Sequence, residues 1–151
     1  MVGTHEQPFN RLVQVVDTLE TDEQRIIQYG YSSYTPASSK GYDFLPFDDV
    51  KRYIQDADIV ITHSGTGSVM LALSLGKLPI VAPRYKKYGE HIDNHQLQLV
   101  QGLEEDGMIV PYYDGDDLRE RIVEVLGKME TVRRIEPSPE LVAELHRIIV
   151  Q

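Results

Sequence analysis

The chain of 151 residues contains no cysteine and no tryptophan. Without cysteine there is no disulfide framework, no thiolate zinc site and no cysteine nucleophile. Positive charge is also scarce: 15 Lys and Arg stand against 24 Asp and Glu, for a formal net charge of −9. That balance argues against sequence-independent nucleic-acid binding, which needs a basic face, and against adhesion of the whole surface to anionic lipid. No apolar run approaches the ~20 residues of a membrane-spanning helix. The opening MVGTHEQPFN lacks the basic and apolar regions of a secretory signal. Repeats and low-complexity tracts are absent too. What is there, 41% hydrophobic and 26% charged residues, is the composition of a globular domain long enough for its own core.

Short apolar runs alternate with helical periodicities. Arg25–Tyr29, Asp58–Thr62, Leu78–Ala82 and Met108–Pro111 read as strands. The second and third are nearly continuously apolar, as strands buried on both faces are. Tyr42–Phe47 reads as one more short strand. Phe9, Leu12, Val13, Val16 and Leu19 recur at helical steps. Val50, Tyr53 and Ile54 follow Asp48, an N-cap candidate. Further helices are predicted over Val69–Leu75, closed by Gly76, and over Ile92–Leu103. Another is predicted over Leu118–Leu126, where Asp114, Asp116 and Asp117 suit the helix start. The alternation predicts an α/β fold, one mostly parallel sheet covered on both faces. The linker Glu136–Pro139 divides a domain over 1–136 from a last helix over 137–151. The apolar stripe of that helix (Leu141, Val142, Leu145, Ile148, Ile149) docks either on its own domain or on a partner.

In open α/β sheets, ligands bind beyond the carboxyl ends of the strands, so the strand-to-helix junctions are where chemistry is sought. Thr62-His63-Ser64-Gly65-Thr66-Gly67-Ser68 follows a buried strand and opens a helix. Its small residues let backbone N–H groups approach an anion, the helix start adds positive potential, and Thr66 and Ser68 bring hydroxyls. It is neither a Walker loop nor a dinucleotide fingerprint. On these residues alone, phosphate binding and a plain tight turn both stay open.

Arg84–Gln96 (RYKKYGEHIDNHQ) collects Arg84, Lys86, Lys87, Glu90, His91, Asp93, Asn94, His95 and Gln96. It reads as a ligand-facing polar loop or as a solvated basic loop followed by a polar helical turn. His91 and His95 have the spacing of a helical metal pair, but the usual glutamate and third ligand are missing, and no metal site is expected. Gly3–Phe9 (GTHEQPF) supplies Gly3 and Thr4, which can face the same anion. His5 is an acid/base candidate by its unperturbed pKa, or else an exposed cap. Asp56 and Asp58 spell a DxD, but between a helix end and a strand start the spacing reads as accidental.

Taken in order, VGTHEQPFNRLV, ADIVITHSGTGSVMLALSLGKLPIVAPR and GEHIDNHQ resemble the C-terminal, donor-binding domain of glycosyltransferase family 28. The resemblance spans roughly residues 2–128 and is nearest to the family's split-subunit branch. That branch includes the bacterial capsule and exopolysaccharide subunits, toward which PRYKKYGEHIDNHQ points, and the catalytic subunit of the eukaryotic dolichol-pathway GlcNAc transferase. It implies a single Rossmann-like domain, equivalent to the C-terminal half of a GT-B enzyme. It also implies that Phe44 and Leu45 cover the uracil, and that His63, Ser64, Gly65, Thr66, Gly67 and Ser68 form the loop at the diphosphate and ribose. His91, Asn94, His95 and Gln96 would bind the donor sugar and its diphosphate, while Gly3, Thr4 and His5 face the cleft. No cofactor and no metal are implied; the UDP-sugar is substrate.

Three departures from the family pattern stand out. Leu71 replaces a glutamate that grips the ribose hydroxyls, only Met1 and Val2 remain of a strand expected before Gly3, and no second Rossmann half is present. The resemblance therefore implies a hexosyltransferase subunit working with a membrane-anchored, acceptor-binding partner. The acceptor would be a polyprenyl-diphosphate-linked sugar, attacked with inversion, in capsular or exopolysaccharide synthesis. His5 and Glu90 are the candidate bases, unless the base lies on the partner. The expected location is cytoplasmic, held at the inner face of the membrane by the partner, with Arg84, Lys86 and Lys87 meeting a lipid diphosphate. A non-catalytic accessory subunit is the alternative. An epimerase of the same fold is disfavoured, because such enzymes close two domains over the substrate.

Overall fold

A computed structural model describes residues 1–91 and 93–132. In chain order the elements are α1 (Asn10–Asp17), β1 (Ile26–Gln28), β2 (Lys40–Tyr42), α2 (Phe47–Asp56), β3 (Ile61–His63) and α3 (Thr66–Ser74), followed by β4 (Ile80–Ala82), a 3-10 turn (Lys86–Tyr88), α4 (His95–Glu105), β5 (Val110–Pro111) and α5 (Leu118–Val132). The fold is α/β, and among the described residues every strand pairing is parallel: β1 with β2, β3 with β4, and β4 with β5.

Met1 and Val2 join the two sheets. Val2 N–H donates to Gln28 O on β1 at 3.2 Å, the Met1 nitrogen donates to Ile61 O at 2.8 Å, and His63 N–H donates to Met1 O at 3.1 Å. The order across the sheet is therefore β2, β1, Met1–Val2, β3, β4, β5. The first segment of the chain lies at the centre, with later segments wound out to either side. In such a doubly wound sheet the crevice opens where the winding reverses, here between Met1–Val2 and β3.

The core follows from strand alternation. Ile80 and Ala82 of β4 join one cluster with Phe9, Leu12 and Val13 around α1 and Leu118 and Val125 of α5. Val81 points to the opposite face, into a cluster with Val69 of α3 and Val100 and Leu103 of α4. Successive side chains leave opposite faces of a strand, so an unbroken apolar run is what a doubly covered strand requires.

Several boundaries move from those predicted. The strand over Asp58–Thr62 forms at Ile61–His63, and that over Tyr42–Phe47 forms at Lys40–Tyr42. Pro46, not Asp48, caps α2; Asp48 lies in its first turn, where an acid suits the helix dipole. The helix over Ile92–Leu103 begins at His95, after a turn in which His95 N–H donates to Asp93 Oδ1 at 3.0 Å; Ile92 itself lies outside the described residues. Two end signals hold. Gly76, with φ of 72°, follows α3, and the bonds Gly76 N–H to Leu73 O and Lys77 N–H to Ala72 O close it. Asp117 Oδ1 accepts Arg119 N–H at 2.9 Å, capping α5, which runs on to Val132. The domain limit at 136 and the helix over 137–151 lie outside the described residues.

Candidate functional site

The loops leaving Met1–Val2, β1, β2 and β3 meet at the carboxyl edge of the sheet. A Cβ on Gly30, after β1, would come within 2.8 Å of the Gly3 carbonyl oxygen and 3.9 Å of Phe44 Cε1. Phe44 is exposed and meets Tyr31 edge to face, with ring centroids 5.1 Å apart. Leu45 N–H donates to Gln28 Oε1 at 3.0 Å, which ties this loop to β1. Tyr31 was not singled out in the sequence; an aromatic residue directly after a glycine at a strand end was the available signal.

His63 ends β3 and sits under the crevice, buried. Its ring lies between two glycines: a Cβ on either Gly3 or Gly65 would overlap the imidazole. Gly3 also has φ of 69°, a second reason for glycine there. Gly65 N–H donates to His63 Nδ1 at 3.2 Å, so the proton is on Nε2, which lies 3.2 Å from Ser68 Oγ and donates to it. The Ser68 hydroxyl proton is then directed elsewhere. Burial, reinforced by Arg84, pushes the His63 pKa down to about 3, so the ring is neutral at any working pH.

α3 starts above this ring. Its N-cap Gly65 is extended and supplies no capping side chain, and no acidic residue lies in the first turn. The first N–H groups of a helix have no acceptor within it. Gly67 is exposed, with nothing within 4 Å of where a Cβ would stand. Small residues, backbone donors, a hydroxyl and a neutral imidazole thus surround an open space suited to an anion.

The loop after β4 completes the far side. Ser64 Oγ donates to Gln96 Oε1 at 2.6 Å, and Arg84 N–H donates to the same oxygen at 3.3 Å. Asn94 Oδ1 accepts Lys86 N–H at 3.4 Å. His95 is exposed, and Asp93 stands between it and His91, at 3.9 and 3.2 Å. Since α4 starts at His95, the two histidines are not a helical pair. Among the described residues no cluster of three or more His, Asp or Glu side chains is arranged to hold a metal. Instead His91 meets His5, with ring centroids 5.0 Å apart. His5 Nδ1 accepts Gln7 N–H at 3.2 Å, and burial, Arg84 and His91 together lower the His5 pKa. Thr4 is exposed at the same edge.

Two charged residues of this loop turn inward, contrary to the sequence-based expectation. Glu90 is buried; its Oε1 accepts from Arg11 at 3.1 Å and from Tyr85 N–H at 3.1 Å, and its Oε2 from Arg11 at 3.3 Å. A carboxylate so occupied is an anchor rather than a base. Arg84 is 1% exposed and cannot meet a lipid diphosphate or a membrane. Lys87 is exposed but paired with Asp114 at 2.9 Å.

The sequence model described as the glycosyltransferase family 28 C-terminal domain matches residues 1–145. The chain belongs to this family. The family 28 C-terminal domain is the Rossmann-like half of a GT-B fold, in agreement with the sheet order described above. Relatives with assigned names include the UDP-N-acetylglucosamine transferase subunit ALG13 of Yarrowia lipolytica, 38% identical over 66 residues, covering 44% of this chain and 31% of that one. The protein of the same name in Debaryomyces hansenii is 26% identical over 126 residues, 82% of this chain and 57% of that one. A bacterial relative, from Rubrobacter xylanophilus, is named UDP-N-acetylglucosamine--N-acetylmuramyl-(pentapeptide) pyrophosphoryl-undecaprenol N-acetylglucosamine transferase. It is 32% identical over 95 residues, 60% of this chain and 27% of that one. This family 28 domain spans less than a third of the Yarrowia relative's length. Among its described residues no helix is long and apolar enough to cross a membrane.

Proposed function

We propose that this chain is the donor-binding, catalytic subunit of a UDP-sugar-dependent, inverting hexosyltransferase. The observation that carries the reading is the uncapped start of α3 above a neutral His63, at the point where the winding of the sheet reverses. The UDP diphosphate lies against the N–H groups of Thr66, Gly67 and Ser68 and the Ser68 hydroxyl; the Gly65 N–H is already taken by His63 Nδ1. The uracil lies toward Phe44 and Leu45, and the sugar toward His91, Asn94, His95 and Gln96, with Gly3 and Thr4 lining the floor.

The chemistry is a displacement. An acceptor hydroxyl attacks the anomeric carbon, the bond to the UDP oxygen breaks, and the hydroxyl proton passes to a base. Negative charge grows on the departing diphosphate, where fixed backbone donors stabilise it without a metal. Glu90, already bonded to Arg11, is not retained as the base; His5, at the edge of the cleft, serves only when its Nδ1 gives up the bond from Gln7 N–H, and otherwise the base lies on the partner.

The names of the relatives favour N-acetylglucosamine as the sugar and a polyprenyl-diphosphate-linked acceptor. The word "subunit" in the eukaryotic names favours a second, acceptor-binding chain, membrane-anchored in this proposal, which would hold this one at the inner face of the membrane. A role in capsule or exopolysaccharide assembly rests on the wording of PRYKKYGEHIDNHQ alone.

One observation favours the accessory alternative. Leu71 packs with Ile54, Val60 and Ala72 and offers the ribose no carboxylate. Calorimetric titration of UDP in the presence of EDTA separates the two readings. A dissociation constant on the order of micromolar supports the donor subunit. No binding, with full activity residing in the partner, supports the accessory one.

A further inference from the structure

Arg84 is the most deeply buried charged side chain on the loop after β4. Its Nη1 donates to Gln7 O at 2.8 Å and to Glu90 O at 3.2 Å, and its Nη2 donates to Val2 O at 2.8 Å. The Phe9 ring lies 4.8 Å from its Cζ. These acceptors are not scattered. Val2 and Gln7 bracket the segment that carries His5, and Glu90 immediately precedes His91. The nearest carboxylate, that of Glu90, is already taken by Arg11. Its Nε is buried without a partner, so the guanidinium is only partly compensated, and an apolar side chain in this space would avoid that cost. What the fork alone provides is a fixed geometry between two loops.

We propose that Arg84 is a positioning residue that sets the His5 loop against the His91 loop, so that the two imidazoles meet at the edge of the donor cleft. The part of this inference that concerns UDP rests on the donor-site reading; the part that concerns the two loops does not. The charge of Arg84 has a second consequence in the same direction. The groups facing His5 are Glu6 on its own loop, His63 from β3, Arg84 from the end of β4 and His91 from the following loop. Of these only Arg84 is a permanent cation, and its nearness helps to hold His5 in the neutral form, the form that accepts a proton.

Two variants test the proposal by separate features of the guanidinium. Arg84→Lys keeps the charge and loses the fork; Arg84→Met loses both. The first readout is the histidine Cε1–H titration by NMR, without ligand; the second is UDP affinity by calorimetry. In Arg84→Met the His5 midpoint rises by about half a pH unit or more, and in Arg84→Lys it stays low. UDP affinity falls about tenfold in both, because the loops are no longer set by the fork. A His5 midpoint unmoved in folded Arg84→Met overturns the proposal, as does wild-type UDP affinity in Arg84→Lys. If Arg84→Met does not fold, Arg84→Lys decides by the affinity readout. Failure of the wild-type chain to bind UDP overturns the donor-site reading instead; the NOE between the His5 and His91 ring protons, expected in the parent and lost in Arg84→Lys, then judges the placing of the loops, and its retention in Arg84→Lys overturns the proposal.

Discussion

The start of α3 and the loop after β4 face each other across one crevice and are built by opposite means. At α3 the residues are small, the side chains are nearly absent, and the backbone itself is presented. In the loop after β4 the side chains are large and charged, and the two that look most chemical, Arg84 and Glu90, turn inward to hold the loop. The difference teaches where function can be read from residue type. Gly, Ser and Thr after a buried strand leave the backbone little to do except approach something. A charged side chain has many partners to choose from, and here it chooses carbonyls and an arginine of its own fold.

Glu90→Ala makes the sharpest break on the side-chain-built half. It leaves Arg11 unpaired and Tyr85 N–H without an acceptor. Breaking a largely buried pair of this kind costs about 3 kcal/mol, read as a lower midpoint in urea unfolding. Unchanged stability with lost transfer would instead return Glu90 to the role of base. On the backbone-built half, Gly65→Ala forces His63 out of its slot. Overpacking of that sort costs about 1–3 kcal/mol, and UDP binding should be lost with the displaced imidazole. If the variant is as stable as the parent and binds UDP normally, the close packing of glycines on His63 does not matter to the site.

The next effect depends on pH. Asp17 is buried at the end of α1; burial raises its pKa, but bonds from Ala37 N–H, the Tyr34 hydroxyl and Ser38 N–H outweigh this and hold it at about 2. The folded pKa lies below the unfolded one of about 3.9, so its contribution is present above that value. Stability should therefore drop as the pH falls from about 4 to about 2, and Asp17→Asn should flatten that part of the profile. The smallest stability effect is expected at Gly67, where a side chain meets open space. Gly67→Leu should change stability by no more than about 0.5 kcal/mol and yet weaken UDP binding at least about tenfold. A Gly67→Leu protein with parental UDP affinity would mean that the anion does not lie at α3.

The same contrast explains how much was legible. The helix over Phe9–Leu19, the buried run at Leu78–Ala82, the glycine that ends α3 and the aspartate that caps α5 are local signals, and each is found where periodicity or capping chemistry places it. β3 forms later than its apolar run suggests because pairing is set by the neighbours, Met1 and β4, and not by hydrophobicity. The helix expected from Ile92 starts at His95 because the Asp93 carboxylate accepts His95 N–H and holds a turn there. At the carboxyl edge of the sheet, the glycine-rich turn from β3 into α3 was readable as a strand-to-helix junction. The approach of His5 to His91 was not, because it joins two segments more than eighty residues apart, and no local periodicity or capping signal records such a contact.

The most direct test of the account is an amide-resolved NMR titration of the chain with UDP, with EDTA present. The account predicts saturable shifts concentrated on the N–H groups of Thr66, Gly67 and Ser68, with smaller ones at Phe44 and Leu45, all moved to at least about tenfold higher UDP by Gly67→Leu. Shifts that cluster elsewhere, or none at millimolar UDP, would contradict the assignment of the α3 start as the diphosphate site.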